Sequence, residues 1–235
     1  CEPKLDVGTI GLRAGAISSA ADMAVIGLSG PGGHTARPEL TVDLVGLAAK
    51  VVTELPGRVA AAVAHIDHEH AALVKVVFGS LHAGDAANVI PTHGVIKASI
   101  RTPSLAVWDV LADVFERELR SVVSGSGAEI DLDYTHGVPP VVSDRGVPGL
   151  VGEAAAAAFG ATCVEEVQQS WGGDDFAWFT REVPGTYVRL GVRDPHGPTL
   201  DLHAGHFDVD ERSIAIGVQL LTATVERFFA GHAEA

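Results

Sequence analysis

The sequence predicts an α/β protein in two parts: a split βαβ sandwich, then the closing portion of a layered α/β domain. Three observations predict it. Apolar residues recur at helical spacing over 42–55, 104–124, 150–159 and 213–229. Between the first two of these lie β-branched runs of strand type, and Gly or Pro punctuates nearly every junction.

The elements follow in order. LDVGTIGL and ADMAVIGLSG read as strands, the second ending in the glycine-rich turn GPGGHTARPEL. Leu44, Val45, Leu47, Ala48, Val51, Val52 and Leu55 keep helical spacing, and Pro56-Gly57 is expected to close that helix. ALVKVVFGSLHAG and GVIKASIR are strands, the latter with Val95, Lys97, Ser99 and Arg101 on one face. Ser104 is placed to cap a helix whose stripe is Leu111, Val114, Phe115, Leu119 and Val122, with Gly125 as its stop. EIDLDYTHG alternates, with Ile130, Leu132 and Tyr134 on one side. An alanine-rich helix then runs from Leu150 to Phe159. CVEEVQ and GTYVRLGV are buried strands, and a closing helix from about Ser213 to Phe229 carries the stripe Ile214, Val218, Leu221, Val225 and Phe228.

Composition excludes several classes. The 235 residues are 47% hydrophobic, which is incompatible with disorder. A net charge of −14, with no clustered Lys and Arg, argues against nucleic acid or an anionic membrane as partner. No uninterrupted apolar run reaches about eighteen residues, so no transmembrane helix is expected. Two cysteines, Cys1 and Cys163, make a reducing cytoplasm the simpler location, although one disulfide is open to them. The first residue, Cys1, fits either an acylated lipoprotein terminus or a chain that starts inside a longer one, and no signal peptide is legible.

Several stretches carry polar groups suited to chemistry, each beside a plainer reading. GGDDFAWF delivers Asp174 and Asp175 on a tight turn with a helix starting on them, and capping of that helix explains them equally. His203 in LHAGHFDVDE ends a strand-like segment and is a candidate metal ligand, while Asp208, Asp210 and Glu211 resemble the first acids of the next helix. His65, His68 and His70 in AHIDHEHAAL read as a solvated connection. His34 follows a glycine turn in GPGGHTARP. Asn88 in DAANVIP offers both a donor and an acceptor, and Arg101 suits a bidentate grip on a carboxylate.

PKLDVGTIGLRAG, GPGGHTARP, SLHAGDAANVIP, IRTP, GGDDFAWF and LHAGHFDVDE together cover nearly the whole chain. In this order they resemble the aminoacylase and carboxypeptidase group of co-catalytic metallopeptidases, nearest its N-acyl-amino-acid amidohydrolase branch, such as hippurate hydrolase. The resemblance implies a Zn-peptidase-like α/β catalytic domain with two divalent ions (zinc, manganese or cobalt). It also implies an inserted ferredoxin-like βαββαβ lid that mediates homodimerisation. On this chain the catalytic portion would hold 1–14 and 126–235, with the lid at 15–125. By position, His203 matches a metal ligand, and His34 matches the lid histidine that polarises the scissile carbonyl. Asn88 and Arg101 match residues that hold the substrate carboxylate. Gly172, Gly173 and Asp175 match the loop beneath the site, and Asp174 stands where the branch usually has Glu. The other ligands and the general-base glutamate of the family lie N-terminal to P-x-L-x-V-G. The chain is therefore expected to be the C-terminal portion of an enzyme cleaving N-acyl amino acids or small amides, inactive alone. A non-catalytic dimerisation or small-carboxylate-binding module is the alternative.

Overall fold

The computed structural model describes residues 1–67 and 73–232. Along the chain lie β1 (Glu2–Asp6), β2 (Ile10–Leu12), β3 (Gly15–Ala16), β4 (Ala21–Ser29), β5 (Gly33–His34), α1 (Leu44–Val63), β6 (Lys75–Ala83), β7 (Val89–Ile90) and β8 (His93–Arg101). There follow α2 (Leu105–Val123), β9 (Glu129–Val138), β10 (Val142–Ser143), α3 (Val147–Phe159), β11 (Val164–Glu166), α4 (Ala177–Glu182), β12 (Arg189–Arg193) and α5 (Arg212–His232). They gather in two compact units. One holds Ser18–Pro140 with Trp171–Asp175, and the other Cys1–Ile17, Val141–Ser170 and Phe176–Ala235.

In the first unit a four-stranded sheet runs β6-β8-β4-β9, each neighbouring pair antiparallel. Strand alternation sends Ala24, Ile26, Leu28, Ile96, Ala98 and Ile100 to one face, where α1 and α2 cover them. The opposite face is open, and Met23, Val25, Val77 and Val95 are exposed on it. The sequence reading cuts this unit at 125. β9 lies beyond that point, yet it pairs with β4 from Ser29↔Glu129 to Ala21↔Val138, so the unit extends to Pro140. Without β9, the polar backbone of β4 would lose a whole row of partners. At the other end, β3 pairs with β10 and belongs to the second unit.

Pro56 does not close α1. The helix continues to Val63, because Leu55, Val59 and Val63 are all fully buried on the same stripe as Leu44, Leu47 and Val51. A proline inside a helix costs about 3 kcal/mol. Burying Val59 and Val63 returns about 1.5–3 kcal/mol each, so burial wins. α2 follows expectation: the Ser104 hydroxyl accepts the Val107 N–H at 3.3 Å, and the anticipated stripe is buried.

Asp22 on β4 is 1% exposed and ties three elements together. Its carboxylate accepts the Trp108 indole N–H (3.0 Å), the Tyr134 hydroxyl (2.8 Å) and the Gly137 N–H (2.9 Å). A buried carboxylate needs such donors to offset its lost hydration.

The second unit holds a sheet in the order β1-β12-β2-β11, with β1/β12 and β2/β11 parallel and β12/β2 antiparallel. LDVGTIGL forms two strands rather than one, broken by a turn at Val7–Gly8. Ile10, Leu12, Val151, Ala155, Cys163 and Leu220 form one core, and Ile17, Val141, Val167 and Ala177 another. Both cysteines are free, Cys1 exposed and Cys163 buried.

α5 corrects the sequence reading of its stripe. Ile214, Val218, Leu221, Val225 and Phe228 are 45–68% exposed in the described structure, whereas Leu220 is buried and Ile216 packs beside it. The expectation that no segment could cross a membrane also changes. Arg212–Gly231 is long and apolar enough by length and composition, and only 6% of that window is buried in the described structure.

Candidate substrate-binding site

The candidate residues of the first unit fall into two groups. β5 and β7 form a short antiparallel ladder that pairs His34 with Val89 and Gly33 with Ile90. The Thr35 N–H donates to the Asn88 carbonyl at 3.2 Å, so His34 and Asn88 are brought together at one exposed tip. A side chain at Gly32 would press a Cβ to 2.4 Å from the Ile90 carbonyl, which explains the glycine there. His34 Nδ1 accepts the Ala36 N–H at 3.0 Å. The neutral ring therefore carries its proton on Nε2 and presents it outward as a donor.

The second group surrounds Arg101 at the end of β8. Its Nε donates to Ser99 Oγ at 3.2 Å, and one terminal nitrogen donates to the Trp171 carbonyl at 3.5 Å. Trp171–Asp175 is the segment that returns to this unit. It is fastened by Ser19, whose N–H donates to the Gly172 carbonyl (3.0 Å) and whose hydroxyl donates to the Trp171 carbonyl (2.8 Å). Gly173 must be glycine, since a Cβ would lie 2.6 Å from that of Ala21 and 3.1 Å from Val138. Lys75 Nζ sits 3.6 Å from the centroid of the Trp171 ring. Arg101 is thus brought beside the segment that carries Gly172 and Gly173. Ser19, Trp171 and Lys75 were missed, and the only sequence signal was a tryptophan directly before the paired glycines.

Asp174 and Asp175 follow on the same segment, Asp175 exposed and Asp174 half-buried. The helix expected to start on them begins at Ala177, with no side-chain cap, because Asp175 and Phe176 form a turn first.

His203 belongs to the second unit and does not end a strand. It lies exposed in a turn where Asp201 accepts both the His203 N–H (2.8 Å, side chain) and the Ala204 N–H (3.0 Å, carbonyl). The local Asx turn outcompetes extended backbone here. Among the described residues no three His, Cys, Asp or Glu side chains gather to hold a metal ion. A catalytic centre usually needs three protein ligands, so the residues present do not fit one. His65 lies in the turn after α1, while His68 and His70 fall outside the described residues. Asp210 does serve the next helix: its carboxylate accepts the Arg212 N–H at 3.0 Å, and the Arg212 guanidinium holds it below the usual carboxylate range. A cleft of about 460 Å³ nearby is lined by Arg193, Asp194, Leu200, Asp208, Asp210 and Arg212, and not by His203.

Residues 1–227 match peptidase family M20/M25/M40. The chain belongs to this family. The amidohydrolase-type resemblance read from its motifs is thereby shown. A Rhodococcus jostii (strain RHA1) protein that bears the name glutamate–cysteine ligase 2-3 is 36% identical over 223 residues, 95% of this family member but 28% of that much longer protein. N-acetylcysteine deacetylase of Bacillus subtilis (strain 168) is 27% identical over 218 residues, 93% of this chain and 54% of the deacetylase. Among solved structures, the Bacillus subtilis YXEP protein, a dinuclear metal-binding peptidase of family M20, superposes with a TM-score of 0.72 at 23% identity. That match covers 95% of this chain and 54% of the other. The M20-type α/β fold is shared. The M20 chain described here spans about half the length of the deacetylase and of the solved peptidase, and 28% of the ligase-named relative.

Proposed function

We propose that this chain forms the substrate-gripping portion of a metal-dependent amidohydrolase that cleaves N-acyl amino acids or related small amides. The observation that carries the reading is Arg101. Its guanidinium is fixed by Ser99 and by the Trp171 carbonyl on the segment that continues into Gly172, Gly173, Asp174 and Asp175. That leaves further N–H groups for a carboxylate. Family membership and the N-acetylcysteine deacetylase relative support an amide substrate.

In this reading the β4–β9 unit is a ferredoxin-like lid and the site of homodimerisation, and the enzyme works in the cytoplasm without nucleic acid or membrane. His34 and Asn88 sit at the opposite end of β8 from Arg101, so in the homodimer they would serve the site of the partner subunit, where Asn88 helps hold the substrate's carboxylate end. His34 donates from Nε2 to the carbonyl oxygen as negative charge develops on it. His203 would be one ligand of a two-ion centre of zinc, manganese or cobalt completed by residues outside this chain, and such a centre would supply an activated water. The remaining ligands and the general base are proposed to lie on chain beyond these 235 residues, in keeping with the lack of a ligand cluster among the described residues and with the half-length match.

Calorimetry of the chain with N-acetyl amino acids tests the grip. Binding that disappears in Arg101→Gln is expected, and binding indifferent to that change would sink the reading. Incubation with zinc, manganese or cobalt is expected to give negligible hydrolysis, and metal-dependent turnover would overturn the proposal that the centre is completed elsewhere. The lack of a ligand cluster among the described residues also favours a second reading, a non-catalytic dimerisation or small-carboxylate-binding module. Activity on adding the rest of an M20 catalytic domain separates the two.

A further inference from the structure

Lys75 and Arg101 stand directly opposite one another in the β6/β8 ladder, with their neighbours Val76 and Ile100 buried on the helix-covered face. Both side chains therefore share the open face. Both also touch one residue: Lys75 lies over the Trp171 ring, and Arg101 donates to the Trp171 carbonyl.

Like charges opposed across a ladder are destabilising. Here nothing neutralises them, because neither Lys75 nor Arg101 has a carboxylate in ion-pair reach among the described residues. Arg58, Arg120, Arg189, Arg193, Arg212 and Arg227 all pair with acids, whereas these two opposed cations meet only the Trp171 ring and neutral oxygens. The plain alternative is that Lys75 guards β6, an edge strand, against pairing with another chain. That task needs only an exposed charge. It does not account for an ammonium laid on an indole ring beside a guanidinium whose own contacts are neutral oxygens.

We propose that Lys75, Arg101 and Trp171 form a two-cation cradle for a dicarboxylate. Arg101 takes the α-carboxylate of an N-acylated amino acid, and Lys75 takes a second carboxylate on that amino acid's side chain. Opposed strand residues have Cβ atoms about 4.5–5.5 Å apart, a separation comparable to the spread of the two carboxylates of an acidic amino acid. The substrate class is thus N-acylated acidic amino acids. The assignment rests on the proposed role of Arg101 and adds the side-chain preference. Asp174 and Asp175, on the same segment as Trp171, oppose any anion and keep the affinity modest.

The test compares N-acetyl-L-glutamate with its isostere N-acetyl-L-glutamine, using calorimetry and tryptophan fluorescence on the whole chain. Glutarate serves as a dicarboxylate without the acylamino group. N-acetylglutamate should bind about tenfold more tightly than N-acetylglutamine, the worth of one favourable charge contact. Lys75→Gln should bring the two within about twofold, and Lys75→Arg should keep the preference. Lys75 is exposed, so these variants fold, and circular dichroism verifies it. Equal binding of the two ligands by the unaltered chain, or a preference that survives Lys75→Gln, overturns the cradle even when Arg101-dependent binding persists. Lys75-dependent binding of glutarate with no binding of either acyl amino acid upholds the cradle and rejects the acyl-amino-acid reading. No binding of any dicarboxylate at about 10 mM overturns the cradle outright.

Discussion

The indole N–H of Trp108 on α2 donates to the carboxylate of Asp22 on β4 at 3.0 Å, joining a helix to the strand beneath it. Tyr134 and Gly137, both on β9, donate to the same carboxylate. Replacing Asp22 with Ala strands three donors in the interior. The expected loss is on the order of 3 kcal/mol or more, against about 1 kcal/mol for Asp22→Asn, which keeps the Oδ1 acceptor shared by Trp108 and Gly137. Urea unfolding followed by near-ultraviolet circular dichroism measures both, and equal losses would contradict the assignment.

Burial, reinforced by the adjacent Asp22 carboxylate, pushes the Tyr134 hydroxyl far above its ordinary value of 10.0. The folded chain keeps a proton that the unfolded chain releases above about pH 10. The unfolded state then binds fewer protons, so stability is fully present below about pH 10 and falls as pH rises beyond it. Urea midpoints measured across that window should drop, with a shallower slope in Tyr134→Phe. Parallel slopes would reject the mechanism.

Gly173→Ala forces a methyl against Ala21 and Val138. The backbone must move, at a cost of about 1–3 kcal/mol. The Trp171 carbonyl should then leave Ser19 and Arg101. The readout is a change in Trp171 fluorescence together with weakened acyl-amino-acid binding. Unaltered fluorescence and affinity in this variant would show that the segment is not held there.

His34 accepts a backbone N–H on Nδ1. Nitrogen-detected NMR at mildly alkaline pH should report the Nε2–H tautomer as dominant, and Ala36→Pro, which removes the donor, should shift the balance toward a mixture. A dominant Nδ1–H form in the unaltered chain would remove His34 from the proposed oxyanion role.

Much of the first unit is legible in the sequence. Period-two alternation in GVIKASIR and EIDLDYTHG, and the Ser104 cap, are local signals read from neighbouring residues. Pro56 misleads because its local cost is outweighed by Val59 and Val63 meeting the sheet, a nonlocal gain. His203 misleads because an Asx turn from Asp201 and a strand end look alike in sequence.

The sequence by itself determined the M20 motifs, the alternation of strands and helices, and which polar residues were candidates, since each depends on residue type and spacing along one chain. Tertiary structure alone decided that Trp171–Asp175 packs with Ser19, Arg101 and Lys75, that β9 belongs with β4, and that His203 gathers no co-ligands among the described residues. Those are meetings of residues tens to more than a hundred positions apart. Backbone hydrogen bonding and close packing choose them from many sequence-compatible pairings, and nothing in local spacing encodes the choice.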